Sequence, residues 1–241
     1  MKIVEKIFLL VAGLLAAGLL AASCTSQEIV RPSVVIGDAF ELSRDFEGGN
    51  ASDVFTSFPG GNASTWTYAT HRQFPGTLAF TSSEGGKVEF ADSSMTDGLV
   101  EIDLTLTGGN GNAGLMLHSS NYSGGGPDAV YGYYIGVGVN NANETRWFDG
   151  TSVGPMFPFL QIGVMQNNWN QVYIGELADT PVSYPVTYKV SVAMKGMDMA
   201  VSVNGVQRIL LKDPKFSSGS VGFRTFNMDG YLDNLSIIGN R

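Results

Sequence analysis

One predicted strand combines glycine and tyrosine on a single face, in a pattern that would suit a ligand. Within residues 131–139, alternate positions hold Gly132, Tyr134, Gly136 and Gly138. Glycine weakens a strand and often marks the close approach of a ligand or of another backbone. A tyrosine adds a large apolar ring with a polar tip. We expect a shallow binding surface here, or, as the alternative, a place where the sheet bends or a loop packs over it.

Other kinds of chemistry find no support in the sequence. We identify no nucleophilic triad and no zinc-ligand set. The glycine runs at residues 108–111 and 124–126 are not typical of phosphate loops, because they precede strand patterns rather than helices. After residue 23, the chain has 12 basic and 21 acidic residues. This charge argues against nucleic acid as a partner, and it provides no basic patch for anionic lipid.

The N-terminal residues predict export. Lys2 and Lys6 form a short basic start, and an apolar run of sixteen residues follows at positions 7–22. This length is typical of the apolar region of a signal peptide, whereas a spanning helix needs about 20 residues. We therefore expect residues 1–23 to be a signal peptide.

The only cysteine of the chain, Cys24, follows small residues in a sequence that resembles the lipobox of bacterial lipoproteins. The usual pattern has leucine three residues before the cysteine, where Ala21 stands here, with Leu20 one position earlier. We expect lipidation of Cys24, a tether over residues 24–38, and an extracytoplasmic protein held on a bacterial membrane by its lipid alone. The alternative is ordinary secretion. A single cysteine allows no intramolecular disulfide.

The remaining residues predict one all-β domain at positions 39–241. Of the 241 residues, 44% are hydrophobic and only 15% are charged, and 31 are glycine, a composition that excludes disorder for most of the chain. Apolar residues alternate with period two, as at Val100, Ile102 and Leu104, and Asn204-Gly205 is typical of a hairpin turn. About a dozen such segments favour a two-sheet antiparallel β-sandwich.

Several short motifs, in this order, resemble concanavalin A-like jelly-roll modules. They are DFEGG at 45–49, AGLMLH at 113–118, YGYYIG at 131–136, NNWNQ at 167–171, GSVGFRTFN at 219–227 and YLDNLSI at 231–237. Their order and spacing are most similar to laminin-G-like modules of the family 66 carbohydrate-binding type. The resemblance covers roughly residues 39–238, and it implies a jelly roll that binds an oligo- or polysaccharide on a concave sheet face.

The resemblance also implies which residues form the site, namely those opposite the apolar stripes of the concave sheet. The candidates are His118, Tyr134 and Arg224, together with Glu101 and Asp103 if their strand belongs to the same sheet. Trp169 is a further candidate, as a loop aromatic that could stack on a sugar. Aromatic faces cover apolar C–H patches of a sugar, and charged side chains bond its hydroxyls. We expect Arg224→Ala to abolish glycan retention while leaving the thermal transition nearly unchanged.

Three of these candidates also have a structural interpretation. Arg224 could pair with a nearby acid, His118 could be a hydrogen-bonded structural histidine, and Trp169 could close the sandwich edge. By analogy with related sandwiches, Glu47 and Asp233 could share a structural calcium.

Two other functions stay open beside non-catalytic glycan binding. Residues 100–105 resemble the Glu-x-Asp-x-x-Glu signature of jelly-roll glucanases, but Thr105 and Leu106 stand where the third acid belongs. A hydrolase of the 3-keto-disaccharide type would instead take a base from Glu101, Asp103 or His118. A structural or protein-binding surface module would show a contiguous exposed apolar patch.

Overall fold

A computed structural model describes residues 39–46, 55–56, 65–71, 74–81, 85–121, 128–140, 157–178, 180, 182–212 and 215–241. Every regular element within these ranges is a β-strand. The strands are β1 (Ala39–Arg44), β2 (Phe55–Thr56), β3 (Thr65–His71), β4 (Phe74–Thr81), β5 (Gly86–Phe90), β6 (Gly98–Ser120), β7 (Tyr131–Asn140), β8 (Phe157–Gln166), β9 (Gln171–Glu176), β10 (Val186–Lys195), β11 (Asp198–Val203), β12 (Val206–Lys212) and β13 (Ser220–Asn240). Within the same ranges, no helix is long and apolar enough to cross a membrane.

Two long antiparallel strands, β6 and β13, run through both sheets of the fold. The first sheet has the order β12-β11-β10-β6-β13, and it uses the first half of β6 and the second half of β13. In this sheet, β13 also pairs with β1 and with β4 of the β4-β3 hairpin. The second sheet has the order β9-β8-β7-β6-β13-β5-β2, using the other halves of the two long strands. All described pairings are antiparallel, which confirms the predicted all-β sandwich.

The long strands pass from one sheet to the other at glycine positions, where a side chain would not fit. Gly109 has a φ of +106°, and a Cβ atom there would collide with the carbonyl oxygen of Asn227. A Cβ atom at Gly111 would likewise collide with the carbonyl oxygen of Phe226. The β6–β13 register shifts at the same place, between Phe226 and Met228. The glycine run at 108–111 therefore lies within a bent strand, where the sequence predicts a loop between two strands.

The core lies between the two sheets and is built from the predicted apolar stripes. A single buried cluster joins Ile102 of β6 and Val190 of β10 with Ile135 of β7 and Ile162 of β8. Each of these side chains is almost completely buried. Replacing such a residue with alanine typically costs about 2–5 kcal/mol. The core therefore fixes which face of each strand points outward, and this determines the residues available for a site.

Candidate functional site

The outer face of the second sheet carries most of the polar and aromatic residues that could bind a ligand. Its members alternate with core residues such as Leu115, Ile135 and Ile162. They are Lys87 and Glu89 on β5, Arg224 and Phe226 on β13, Asn112, Gly114 and Met116 on β6, Gly132, Tyr134, Gly136 and Gly138 on β7, and Phe159, Gln161, Gly163 and Met165 on β8. One cross-strand row runs Lys87, Arg224, Gly114, Gly136, Gln161. We call this surface the outer face below.

Arg224 is the central charged residue of the outer face, and it is only 4% exposed. Its Nε and Nη2 atoms donate to Oδ1 of Asp128, at 3.0 and 2.6 Å. Its Nη1 atom donates to Oδ1 of Asn112, at 3.1 Å. The side chain of Asp128 is 37% exposed, so the ion pair runs from the sheet toward solvent. The guanidinium is thus fixed in one orientation by two acceptors.

Three aromatic rings surround this guanidinium. Its carbon lies 4.8 Å from the ring centroid of Tyr134, 5.5 Å from that of Trp169 and 5.7 Å from that of Phe226. The rings of Tyr134 and Trp169 also meet edge to face at 5.8 Å. These distances lie within the range of cation–π attraction. The structure therefore brings together three of the six candidate ligand residues: Arg224, Tyr134 and Trp169.

Trp169 reaches this cluster because the turn between β8 and β9 folds back over the sheet. Asn167 adopts a left-handed conformation, with a φ of +56°, and its amide donates to the carbonyl of Val130. Asn168 accepts a hydrogen bond from the amide of Trp169 through its side chain, at 2.9 Å. Asparagine tolerates such turns because its side chain bonds nearby backbone. The resulting turn leaves the indole half-buried, whereas Arg224 and Tyr134 are buried.

The glycines of the outer face make room for aromatic rings. The space that a Cβ atom of Gly136 would need is occupied by the phenol of Tyr134, and the rings of Phe159 and Trp169 occupy the same space at Gly138 and Gly163. The expectation of an open glycine surface is therefore wrong at Gly136 and Gly138, where rings from the strands themselves fill the space. The face is lined by rings laid over glycine, which we call the aromatic platform; the rings of Tyr134 and Phe159 are buried, and that of Trp169 is half-buried.

Burial controls the proton affinity of two residues in this cluster. It raises the pKa of Tyr134, so the phenol stays protonated and donates to Oδ1 of Asn112, at 2.5 Å. It also lowers the pKa of Lys87 to about 8; the charge of Asp128 opposes this shift and that of Arg224 adds to it. The Lys87 ammonium donates to the carbonyl of Ala129, at 2.7 Å. Lys87 is thus a buried cation beside the Arg224–Asp128 pair.

His118 lies elsewhere, which corrects its predicted placement on the outer face. A φ of +47° and a shift of the β6–β7 register between Leu117 and Ser120 interrupt the alternation at this residue. The imidazole is buried, with Nδ1 3.0 Å from the carbonyl oxygen of Phe216 and Nε2 2.6 Å from that of Thr96. It packs against Tyr133, a core residue. His118 thus connects the C-terminal end of β6 with the two loops that contain Thr96 and Phe216.

Glu101 and Asp103 lie on the first sheet, so the condition under which they would join the site is not met. Glu101 is 3.6 Å from the ammonium of Lys189 on β10. Asp103 accepts a hydrogen bond from the side-chain amide of Asn234 on β13, at 2.8 Å. Both carboxylates are half-buried beside strands of that sheet. They are therefore separated from Arg224 by the fold.

Two predicted sites depend on residues outside the described ranges, Cys24 for lipidation and Glu47 for calcium. The other calcium candidate, Asp233, accepts a hydrogen bond from the backbone amide of Asn234 at 2.7 Å. Among the described residues, no three His, Cys, Asp or Glu side chains are grouped so as to hold a metal ion. Because Glu47 lies outside the described residues, the shared calcium of Glu47 and Asp233 stays a prediction, and we derive no chemistry from it.

Sequence reasoning missed Lys87, Asn112 and Gln161 on the outer face, and Asp128 beside it. Lys87 and Asn112 alternate with the core residue of their strand, so the period-two rule applies to them as well. Asp128 lies in the short segment before β7, where no periodicity identifies it. Gln161 sits in the apolar sequence of β8, and its Oε1 atom is buried without a hydrogen-bond partner.

Comparisons with known proteins show similarity in structure and not in sequence. No family model matches the chain, and no curated protein matches it. Among solved structures, the carbohydrate binding module CBM66 from Bacillus subtilis is 17% identical, with a TM-score of 0.52, over 74% of this chain and 98% of the module. A Bacillus subtilis protein of unknown function with a galectin-like fold is 13% identical, with a TM-score of 0.58, over 86% of this chain and 99% of that protein.

A third solved structure belongs to a sugar-bound protein. The exoplasmic/lumenal domain of VIP36, in its Ca²⁺/Man2-bound form, is 13% identical, with a TM-score of 0.52, over 82% of this chain and 86% of that domain. Identities this low establish only the fold. The chain has the concanavalin A-like jelly-roll fold that these three structures share.

Proposed function

We propose that this protein binds carbohydrate on the outer face, at the cluster of Arg224, Trp169 and Tyr134, and does not cleave it. The observation that carries the proposal is the guanidinium held among three rings, with the half-buried Trp169 and the accessible carboxylate of Asp128 at its edge. Rings of this kind cover the apolar C–H faces of a sugar. A carboxylate and an arginine beside them bond its hydroxyls.

The arrangement fits binding because its charged groups are already oriented. Asp128 accepts two hydrogen bonds at Oδ1, which leaves Oδ2 for a sugar hydroxyl. Arg224 uses three of its five N–H donors in the bonds given above. Such preorganised groups lose little side-chain entropy when a ligand arrives. The ligand would therefore meet a rigid aromatic and polar surface.

Similar structures support a carbohydrate as the ligand class. One is a carbohydrate binding module, and another was solved in a Man2-bound form. The fold is shared although identity is only 17% and 13%.

Lipid anchoring is part of the same proposal. A lipid at Cys24, after removal of residues 1–23, would hold the sugar-binding domain at a bacterial membrane, with residues 24–38 as the tether. Metabolic labelling with a radioactive fatty acid tests this step. We expect label on the parent and none on Cys24→Ser, and persistent label on the variant would reject the lipobox assignment.

A glycan array and a hydrolysis assay on the same purified protein test the function. We expect retention on one class of oligo- or polysaccharide with the reducing-end signal unchanged over time. Turnover of the bound sugar would replace the binding-only proposal by the hydrolase alternative. Absence of retention on every glycan would reject both.

A further inference from the structure

Gln161 on β8 is a buried polar residue that the contacts described so far do not use. Its side chain is 3% exposed, and Oε1 has no hydrogen-bond partner. Leaving a buried acceptor unpaired costs about 1–3 kcal/mol, so such groups are rare in folded proteins. A residue kept for stability alone would pair this oxygen or would be apolar. The unpaired oxygen of Gln161 is therefore an acceptor that a hydrogen-bond donor of a ligand could satisfy.

Its neighbours are aromatic rings laid over glycines. Trp169 covers Gly163, two residues along β8, and the phenol of Tyr134 covers Gly136, the direct cross-strand partner of Gln161. Phe159 lies two residues away in the other direction and covers Gly138. The unpaired oxygen thus belongs to the aromatic platform and not to the core between the sheets.

Gln161 is set apart from Arg224 along the same cross-strand row. Gly114 and Gly136 separate the two residues, so they lie three strand spacings apart. At about 4.8 Å per spacing, their Cα atoms are about 14 Å apart. One hydroxyl cannot contact both groups, and Gln161 therefore marks a second subsite.

We propose that Oε1 of Gln161 accepts a hydrogen bond from a hydroxyl of a neutral sugar residue that is packed against Trp169, the half-buried ring among its neighbours. This inference rests on the proposed function and deepens it by naming a subsite and the class of group it takes. No covalent bond is made or broken in the contact. The hydroxyl keeps its proton and replaces its hydrogen bond to water by one to the amide oxygen.

The charges on the outer face favour a neutral donor over an ion. An acceptor repels carboxylate and sulfate groups, which offer only further acceptors. A buried cation at the same place would lack a partner of opposite charge, because the cross-strand row from Lys87 to Gln161 holds no acidic residue. A hydroxyl on an apolar sugar ring satisfies both the acceptor and the aromatic surroundings.

A binding role and a structural role of Gln161 predict opposite effects of one substitution on stability and on glycan affinity. Methionine has nearly the volume of glutamine, and it removes the unpaired oxygen. If the oxygen serves only a ligand, Gln161→Met keeps or raises the free energy of unfolding and weakens glycan binding. A purely structural glutamine would show the opposite pattern, with lower stability and unchanged binding.

The test compares the parent, Gln161→Met and a control, Gln207→Met, on the exposed edge strand β12. Urea unfolding and calorimetric titration with the glycan identified on the array are the two measurements. We expect Gln161→Met to lose about tenfold in affinity, the weight of one hydrogen bond, without loss of stability. We expect the control to match the parent in both measurements.

A series of singly deoxygenated analogues of the same sugar completes the test. One analogue should bind the parent about tenfold more weakly yet bind Gln161→Met no more weakly than the intact sugar does. Equal affinity of parent and Gln161→Met, or a destabilised Gln161→Met, would overturn the subsite. A parent that binds no glycan would instead reject the proposed function, before Gln161 is tested.

Discussion

Arg224 and Tyr134 share a single acceptor while their side chains face each other. The guanidinium carbon lies 4.8 Å from the phenol ring centroid, and both Nη1 of Arg224 and Oη of Tyr134 donate to Oδ1 of Asn112. The contact with the ring and the shared acceptor therefore fix one geometry for both side chains. Each of them supports the other, and a change to either should be felt as a loss of stability as well as of binding.

Removal of Arg224 should destabilise the fold, contrary to the expectation from sequence. Arg224→Ala leaves Asp128 without its donor, removes one of the two donors to Asn112 and empties the space between three rings. Because one partner of a mostly buried pair is lost, we expect the free energy of unfolding to fall by about 3 kcal/mol. Urea unfolding measures it. A thermal transition equal to that of the parent would show that the ion pair contributes nothing.

Loss of the Tyr134 hydroxyl should have a smaller effect. Tyr134→Phe removes one buried hydrogen bond but leaves the ring over Gly136 and the bond from Arg224 to Asn112. We expect a loss of about 1 kcal/mol in urea unfolding. Tyr188→Phe is the matched control, because the buried hydroxyl of Tyr188 has no hydrogen-bond partner, and its removal should be neutral or stabilising. Equal loss from both variants would contradict the assignment.

Lys87 should make stability depend on alkaline pH. Its pKa in the folded protein is about 8, below the usual value near 10.5, chiefly because burial disfavours the charge. Between these two pH values the unfolded chain holds a proton that the folded chain has released, so this residue makes the free energy of unfolding rise with pH. Lys87→Met should lack that rise, whereas Lys189→Met, at an exposed position, should keep it. Parallel pH profiles of Lys87→Met and the parent would contradict the prediction.

His118 should matter for stability and not for binding. His118→Phe leaves the carbonyls of Thr96 and Phe216 without their ring partners, and we expect a loss of about 2 kcal/mol in the free energy of unfolding. Glycan affinity of the folded variant should equal that of the parent, because the imidazole lies on the core side of the second sheet. A variant of normal stability that no longer binds would return His118 to the site.

The sandwich could be predicted from the sequence because its strands obey period two over long stretches. Ile102, Val190 and Ile135 all point inward as the alternation requires. The same rule correctly placed Tyr134 and Arg224 together on the outer face. What it could not supply was the continuity of β6 and β13, since the glycines at 108–111 are also typical of a loop.

The errors in the site have physical causes at single residues. A left-handed residue in a bulge turned His118 to the core side, and no alternation pattern reveals such a reversal. Glu101 and Asp103 obey the alternation but lie on the other sheet, because β6 bends at Gly109 and Gly111, and the alternation does not reveal this bend. The open glycine surface was wrong because Tyr134, two residues from Gly136, folds its own ring over that position.

The most direct test of carbohydrate binding on the outer face is the affinity of Trp169→Ala for the glycan that the parent retains. The indole lies over Gly163 and beside Arg224, and it is the half-buried edge of the cluster. We predict that calorimetric titration will show at least a tenfold loss for Trp169→Ala and a smaller loss for Trp169→Phe, with both variants folded. Parent affinity in a folded Trp169→Ala would contradict binding at this face.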